Sequence, residues 1–187
     1  VKHPVTVAAL LALAACSGPN KEDGTQPGTT VDTGTPGEEP LADIYINEFM
    51  ASNTMTHQDA SGAYPDWVEL YNASSVDAAI GGWWLTDDND DIFKWQIPDD
   101  VVVPAGGYIV IFCDGDTDQG SLHANFNLDA AGEDLGLYGP NVRDNPVIDA
   151  IDDYGQQLSD VSLARSPDGS PTFVADDTPT PGASNGG

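Results

Sequence analysis

The residues best placed for chemistry are the aspartates of Asp114-Gly115-Asp116-Thr117-Asp118-Gln119-Gly120. Carboxylates at the first, third and fifth positions of a loop are how calcium loops begin, because a hard cation collects oxygens from alternate side chains. The pattern then departs. Gln119 stands where the sharp turn wants glycine, and the twelfth position is Asn125 rather than a bidentate glutamate. Asp87, Asp88, Asp90 and Asp91 would add oxygens if the loops gather at one end of the fold. Two readings stay open: calcium at Asp114, Asp116 and Asp118, or a solvated acidic loop. Elsewhere the chemistry is sparse. There is no Ser-x-x-Lys, His-Glu-x-x-His or phosphate-cradling glycine loop before a helix. Of the three histidines, His3 lies in the leading apolar segment, His57 sits near Asp59 in a polar loop, and His123 is expected to hydrogen-bond a loop. With 31 acidic residues some carboxylates always lie close together, so paired acids carry no message about glycoside chemistry.

The other reactive type is cysteine, present only as Cys16 and Cys113. Cys16 follows a weakly basic start, Val1-Lys2-His3, and an apolar run of eleven residues, 5–15, interrupted only by Thr6. As a helix that run is about 16 Å long, too short for a hydrocarbon core of about 30 Å, and it reads as a secretory signal. Its end, Leu13-Ala14-Ala15-Cys16, resembles the lipobox of bacterial lipoproteins, in which the cysteine is acylated and becomes the new N-terminus. The competing reading is ordinary secretion without lipid. Cys113 ends an apolar strand with no basic neighbourhood, which fits a buried, inert thiol.

Charge removes a class of partners. The 187 residues hold 31 acidic and 5 basic side chains, a formal charge of −26. Setting aside Glu22, Asp23, Asp32, Glu38 and Glu39 with Lys2 and Lys21 leaves 26 acidic and three basic residues from Leu41 onward, a formal −23. Phosphate backbones and anionic headgroups need a basic patch, so nucleic acid is not expected as a partner.

The elements that must position these residues are strands. Residues 17–40 are rich in Gly, Pro and Thr, with Val31 the only large apolar side chain, and read as a disordered linker. As a flexible coil it would span about 25–30 Å. From Leu41 the chain turns to short apolar runs, expected as strands at 44–50, 66–72, 82–86, 92–96, 108–113, 135–138, 147–151 and 161–165. Within 66–72, Val68 and Leu70 share one face while Trp67, Glu69 and Tyr71 share the other. Of Trp83 and Trp84 only one can face inward. The strand at 108–113 is apolar on both faces and is expected inside its sheet. Gly 20 and Pro 14 punctuate these runs, and no sustained helical period appears. The expected fold class is all-β, a β-sandwich.

In order along the chain stand Ile46-Asn47-Glu48, then Asp66-Trp67-Val68-Glu69-Leu70-Tyr71-Asn72, then Gly82-Trp83-Trp84-Leu85-Thr86-Asp87. Pro104-Ala105-Gly106-Gly107-Tyr108, His123-Ala124-Asn125-Phe126, Gly132-Glu133, Ser162-Leu163-Ala164-Arg165 and Thr180-Pro181-Gly182-Ala183-Ser184-Asn185 follow. In this order the segments resemble the lamin tail domain of bacterial secreted proteins. The resemblance implies an immunoglobulin-like β-sandwich acting as an interaction surface. The DNA contacts of nuclear relatives use basic surface, which this chain inverts.

The organisation expected is a lipoprotein signal at 1–15, lipidated Cys16 with a linker to residue 40, and a lamin-tail-like domain over 41–185. The function expected is a non-catalytic envelope lipoprotein, membrane-anchored and facing the periplasm or exterior, with an unknown protein or polysaccharide partner and no certain cofactor. The alternative is a secreted, calcium-stabilised adhesion or carbohydrate-binding module.

Overall fold

A computed structural model describes residues 41–186. The signal, Cys16 and the linker lie outside the described residues. Among the described residues twelve strands run in order: β1 Ile44–Met50, β2 Asp66–Asn72, β3 Ala78–Ala79, β4 Trp84–Thr86, β5 Trp95–Gln96 and β6 Val102–Val103. Then come β7 Tyr108–Cys113, β8 His123–Ala124, β9 Leu135–Tyr138, β10 Val147–Ile151, β11 Ser162–Arg165 and β12 Phe173–Asp176. They form a six-stranded sheet in the order β12-β11-β1-β2-β7-β8, a four-stranded sheet β10-β9-β4-β5 and a small β3-β6 pair. The fold is all-β, an immunoglobulin-like sandwich. Among the described residues no helix is long and apolar enough to cross a membrane.

The core lies between the sheets. Ile44, Ile46, Phe49, Val68, Leu70 and Ile111 from the large sheet meet Leu85, Leu135, Leu137 and Trp95 from the small one. The expected alternation in β2 holds, with Val68 and Leu70 inward. Trp83 goes into the core and Trp84 turns outward, as one pleat requires. Strand β7 lies between β2 and β8, where its two apolar faces suit it. It is delivered by a turn in which Gly106 adopts φ +61°, a conformation that side chains with a Cβ avoid, and Gly107 N–H donates to Pro104 O at 2.9 Å.

The expected strand at 92–96 is shorter, Trp95–Gln96, because Asp91 and its neighbours form a turn in which Asp91 N–H donates to Asp88 O. Strands β3, β6 and β8 have two residues each, too few to carry a pattern of alternation.

Residues Trp67 and Glu69 face away from the core, yet neither is exposed. The outer face of the large sheet is covered by the chain itself. The segment 51–65 lays His57 against the rings of Phe112 and Trp67, and Thr56 Oγ1 donates to Met50 Sδ. The closing segment 166–186 covers Glu48 and Glu69, while Val174 at the β12 edge of this face stays exposed.

Candidate functional site

Under the closing segment the large sheet places two carboxylates side by side. Glu48 and Glu69 are direct cross-strand partners on the outer face, between the pairs Tyr45–Tyr71 and Met50–Trp67, and both are fully buried. The register slips between Ile46 and Glu48, so Asn47 is the extra residue of a bulge, a device that re-aims side chains. Asn47 Nδ2 donates to Glu69 Oε1 at 3.0 Å and to Asp168 Oδ1 at 2.9 Å, while its Oδ1 accepts Gly169 N–H at 3.0 Å. Glu48 accepts from Ser162 Oγ and from Thr180 N–H. Glu69 Oε2 accepts Gly182 N–H at 2.6 Å. Asp168 accepts from Tyr108 Oη, Ser184 Oγ and Asn185 N–H.

Like charges directly opposite one another destabilise a sheet, and burial adds to the cost. Burial pushes Glu69 up to about 7, with Glu48 and Asp168 adding to the rise against hydrogen bonds from Asn47 and Gly182. Burial also raises Glu48. Asp168 goes the other way. Its partial burial favours the neutral acid, but hydrogen bonds from Ser184, Asn185, Asn47 and Tyr108 together hold it below the usual carboxylate range. The cluster is thus a clasp in which acid side chains grip backbone N–H groups of the last residues.

A second polar group crosses between the sheets. Arg165, from the Ser-Leu-Ala-Arg segment, donates through Nη2 to both oxygens of Asp149 at 3.0 Å and through Nε to Ile46 O at 2.8 Å. Its Nη1 donates to Ser170 O, and its guanidinium lies 4.3 Å from the Phe173 ring centre. Burial raises Asp149 in spite of the arginine.

The predicted calcium residues use their oxygens locally. Asp114 Oδ1 accepts Asp116 N–H at 3.0 Å, and Asp116 Oδ1 accepts Asp118 N–H at 3.2 Å. Asp114 Oδ2 meets His123 Nδ1 at 2.8 Å and accepts Gln119 Nε2 at 3.1 Å. The structure brings Asp114 to His123, as a loop contact of the kind expected for that histidine. Among the described residues no three Asp, Glu, His or Cys side chains converge as metal ligands. Cys113 is fully buried in the core, on the face opposite Phe112, and burial pushes its thiol well up. The Asp114–His123 pair therefore has no thiol to activate.

One spelling of a nucleophile motif is present, Gly182-Ala183-Ser184-Asn185-Gly186. The nucleophile elbow needs a strand before the serine and a helix after it. Here the segment follows β12 and forms turns, and Ser184 Oγ donates to Asp168.

Most polar residues of the clasp come from the ordered segments Ile46-Asn47-Glu48, Trp67-Val68-Glu69 and Thr180–Asn185, while Asp168 lies in none of them. The Lamin Tail Domain family model matches residues 38–167. The chain belongs to the lamin tail domain family. No curated protein matches it. The match ends just before Asp168, so the closing half of the clasp, residues 168–186, extends past the matched part of this lamin tail domain. The sequence placed these residues in order but did not show them buried together. The signal was present in Glu69, a carboxylate between Val68 and Leu70 on a strand otherwise flanked by Trp67 and Tyr71.

Proposed function

We propose that this protein is a non-catalytic cell-envelope lipoprotein that presents its lamin tail domain as an interaction module on a tether. The binding-module reading is carried by the use made of the buried polar residues. Asn47, Glu48, Glu69, Asp149, Arg165 and Asp168 all hold the domain's own chain, and what remains for function is exposed surface. The anchor rests on Leu13-Ala14-Ala15-Cys16 and on the Gly-, Pro- and Thr-rich residues 17–40 after it. Acyl chains contribute about 0.8 kcal/mol per buried methylene, and two chains suffice for stable attachment. A domain of formal charge −23 is repelled by anionic headgroups, so attachment falls to the lipid.

Fractionation of the native chain and Cys16→Ser tests the anchor. Native protein should stay with membranes in high salt. The variant should be released, or accumulate unprocessed, with an unchanged domain melt. An intact mass starting at Cys16 without acyl groups overturns the anchor. Melting with calcium and with chelator at equal ionic strength addresses the alternative, a calcium-stabilised secreted module, which a rise in calcium favours.

A further inference from the structure

The two outer faces of the sandwich differ. The middle of the large sheet is covered by segments 51–65 and 166–186, whereas the small sheet carries a row of side chains directly opposite one another across four strands. That row is Gln96 on β5, Trp84 on β4, Tyr138 on β9 and Val147 on β10. Gln96 and Val147 are exposed, Trp84 is partly so, and Tyr138 is buried between them. Phe93, half exposed, stands edge-on to Trp84 with ring centres 5.2 Å apart. The indole is fixed by Trp84 Nε1 donating to Asn141 Oδ1 at 3.0 Å.

Tyr138 leads from this row to the acidic loop 87–91. Its hydroxyl donates to Asn89 Oδ1 at 2.9 Å. The ring lies over Gly136, where a Cβ would stand 2.6 Å from the ring and 2.3 Å from Asn89 Oδ1. Asn89 in turn donates to Asp134 and Asp152. Exposed Asp88, Asp90 and Asp91 flank it. Lys94 pairs with Asp87 inside this loop, which leaves Asp88, Asp90 and Asp91, and Arg165 is buried with Asp149 on the inner side.

We infer that the outer face of the four-stranded sheet is the domain's docking surface, and that its partner is a cationic polypeptide segment. Lysine or arginine side chains of that segment lie over Trp84 and Phe93 and pair with the exposed carboxylates of Asp88, Asp90 and Asp91. The assignment rests on charge complementarity next to uncovered aromatic rings. A ring face attracts a cation, and a rim of carboxylates concentrates cations beside it. The inference rests on the domain being an interaction module but not on the lipid anchor, because binding is read in detergent solution and the anchor by fractionation.

The test uses the full chain in neutral detergent and a fluorescein-labelled octa-arginine peptide, read by anisotropy. Phe93→Ala should weaken binding about fivefold, and Asp90→Asn with Asp91→Asn by a similar factor, each with a native melt. Asp176→Asn with Asp177→Asn removes the same charge at the end of β12, the outermost strand of the other sheet, and should change binding less than about twofold, since distant charges are screened. If the Asp176/Asp177 pair costs as much as the Asp90/Asp91 pair, or Phe93→Ala binds as tightly as the parent, the attraction is general to the acidic surface and the docking face is wrong. Phe93-dependent binding of a soluble neutral β-glucan, without octa-arginine binding, would reassign the face to a sugar and overturn the cationic partner.

Discussion

Arg165 and Asp149 meet at the bulge of β1 and together satisfy both backbone groups of one residue. Ile46 N–H donates to Asp149 Oδ2 at 2.9 Å, and Ile46 O accepts Arg165 Nε at 2.8 Å. Paired registers of β1 with β11 run from Phe49–Leu163 to Glu48–Ala164, so beyond Glu48 the arginine side chain takes over from the backbone ladder. Because Asp149 belongs to β10, the pair also ties the edge of the small sheet to the large one.

Removing the arginine leaves a buried carboxylate and an unpaired Ile46 carbonyl. Arg165→Ala should cost about 3–5 kcal/mol in urea unfolding. Arg165→Lys should recover little, since one ammonium cannot reach Asp149, Ile46 O and Ser170 O together. Replacing both partners by leucine often rescues a buried pair, but here it should not, because Ile46 would still lose both its backbone partners. A double variant as stable as the parent would contradict the clamp.

Stability should rise on mild acidification. Free Glu ionises near 4.5, whereas Glu69 in the fold keeps its proton up to about 7 and Asp66, raised by burial, up to about 6. Between those values the folded chain holds more protons than the unfolded one. The stability contributed is complete below the unfolded pKa and is lost as pH rises through the folded one. Asp168 has the opposite sign, so its contribution is lost as pH falls below about 3.8. Melting temperature at constant ionic strength should therefore climb from pH 8 to about 5 and drop again in stronger acid. Glu69→Gln should flatten the climb.

Asn47 makes three side-chain bonds that no neighbour can replace. Asn47→Ala should cost about 3 kcal/mol, from roughly 1 kcal/mol per bond lost with its partners left buried. Amide exchange should show Gly169 and the closing segment losing protection first. Uniform loss across both sheets would mean that the clasp is not a separate unit.

Cys113 should resist thiol reagents. In Cys16→Ser protein its labelling at pH 8 should be negligible until urea unfolds the domain, because the thiol is buried and its pKa is pushed up. Rapid labelling without denaturant would place Cys113 outside the core.

The alternation of Val68 and Leu70 against Trp67, Glu69 and Tyr71, the inward turn of one of Trp83 and Trp84, and the inner position of β7 were all legible locally. Each depends on the strand's period of two, which neighbouring residues carry. Strands β3, β6 and β8 were not legible, because a pair of residues has no period. The Asp114 loop was legible as an acidic turn, but its contact with His123 needed the parallel pairing of β7 with β8, Phe112 opposite His123.

By itself the sequence determined the all-β class, the family, the surplus of negative charge and the inventory of landmark residues. These follow from composition, local periodicity and order along the chain. Only the tertiary structure decided that Glu69 is buried, since period alone turns it toward solvent. The N–H that covers it comes from Gly182, 113 residues away. Likewise only the paired registers show that Gln96, Trp84, Tyr138 and Val147 share one face, on which Tyr138 is buried and its neighbours are not. Strand pairing joins segments that are remote in sequence, and which face is then covered depends on where the loops return.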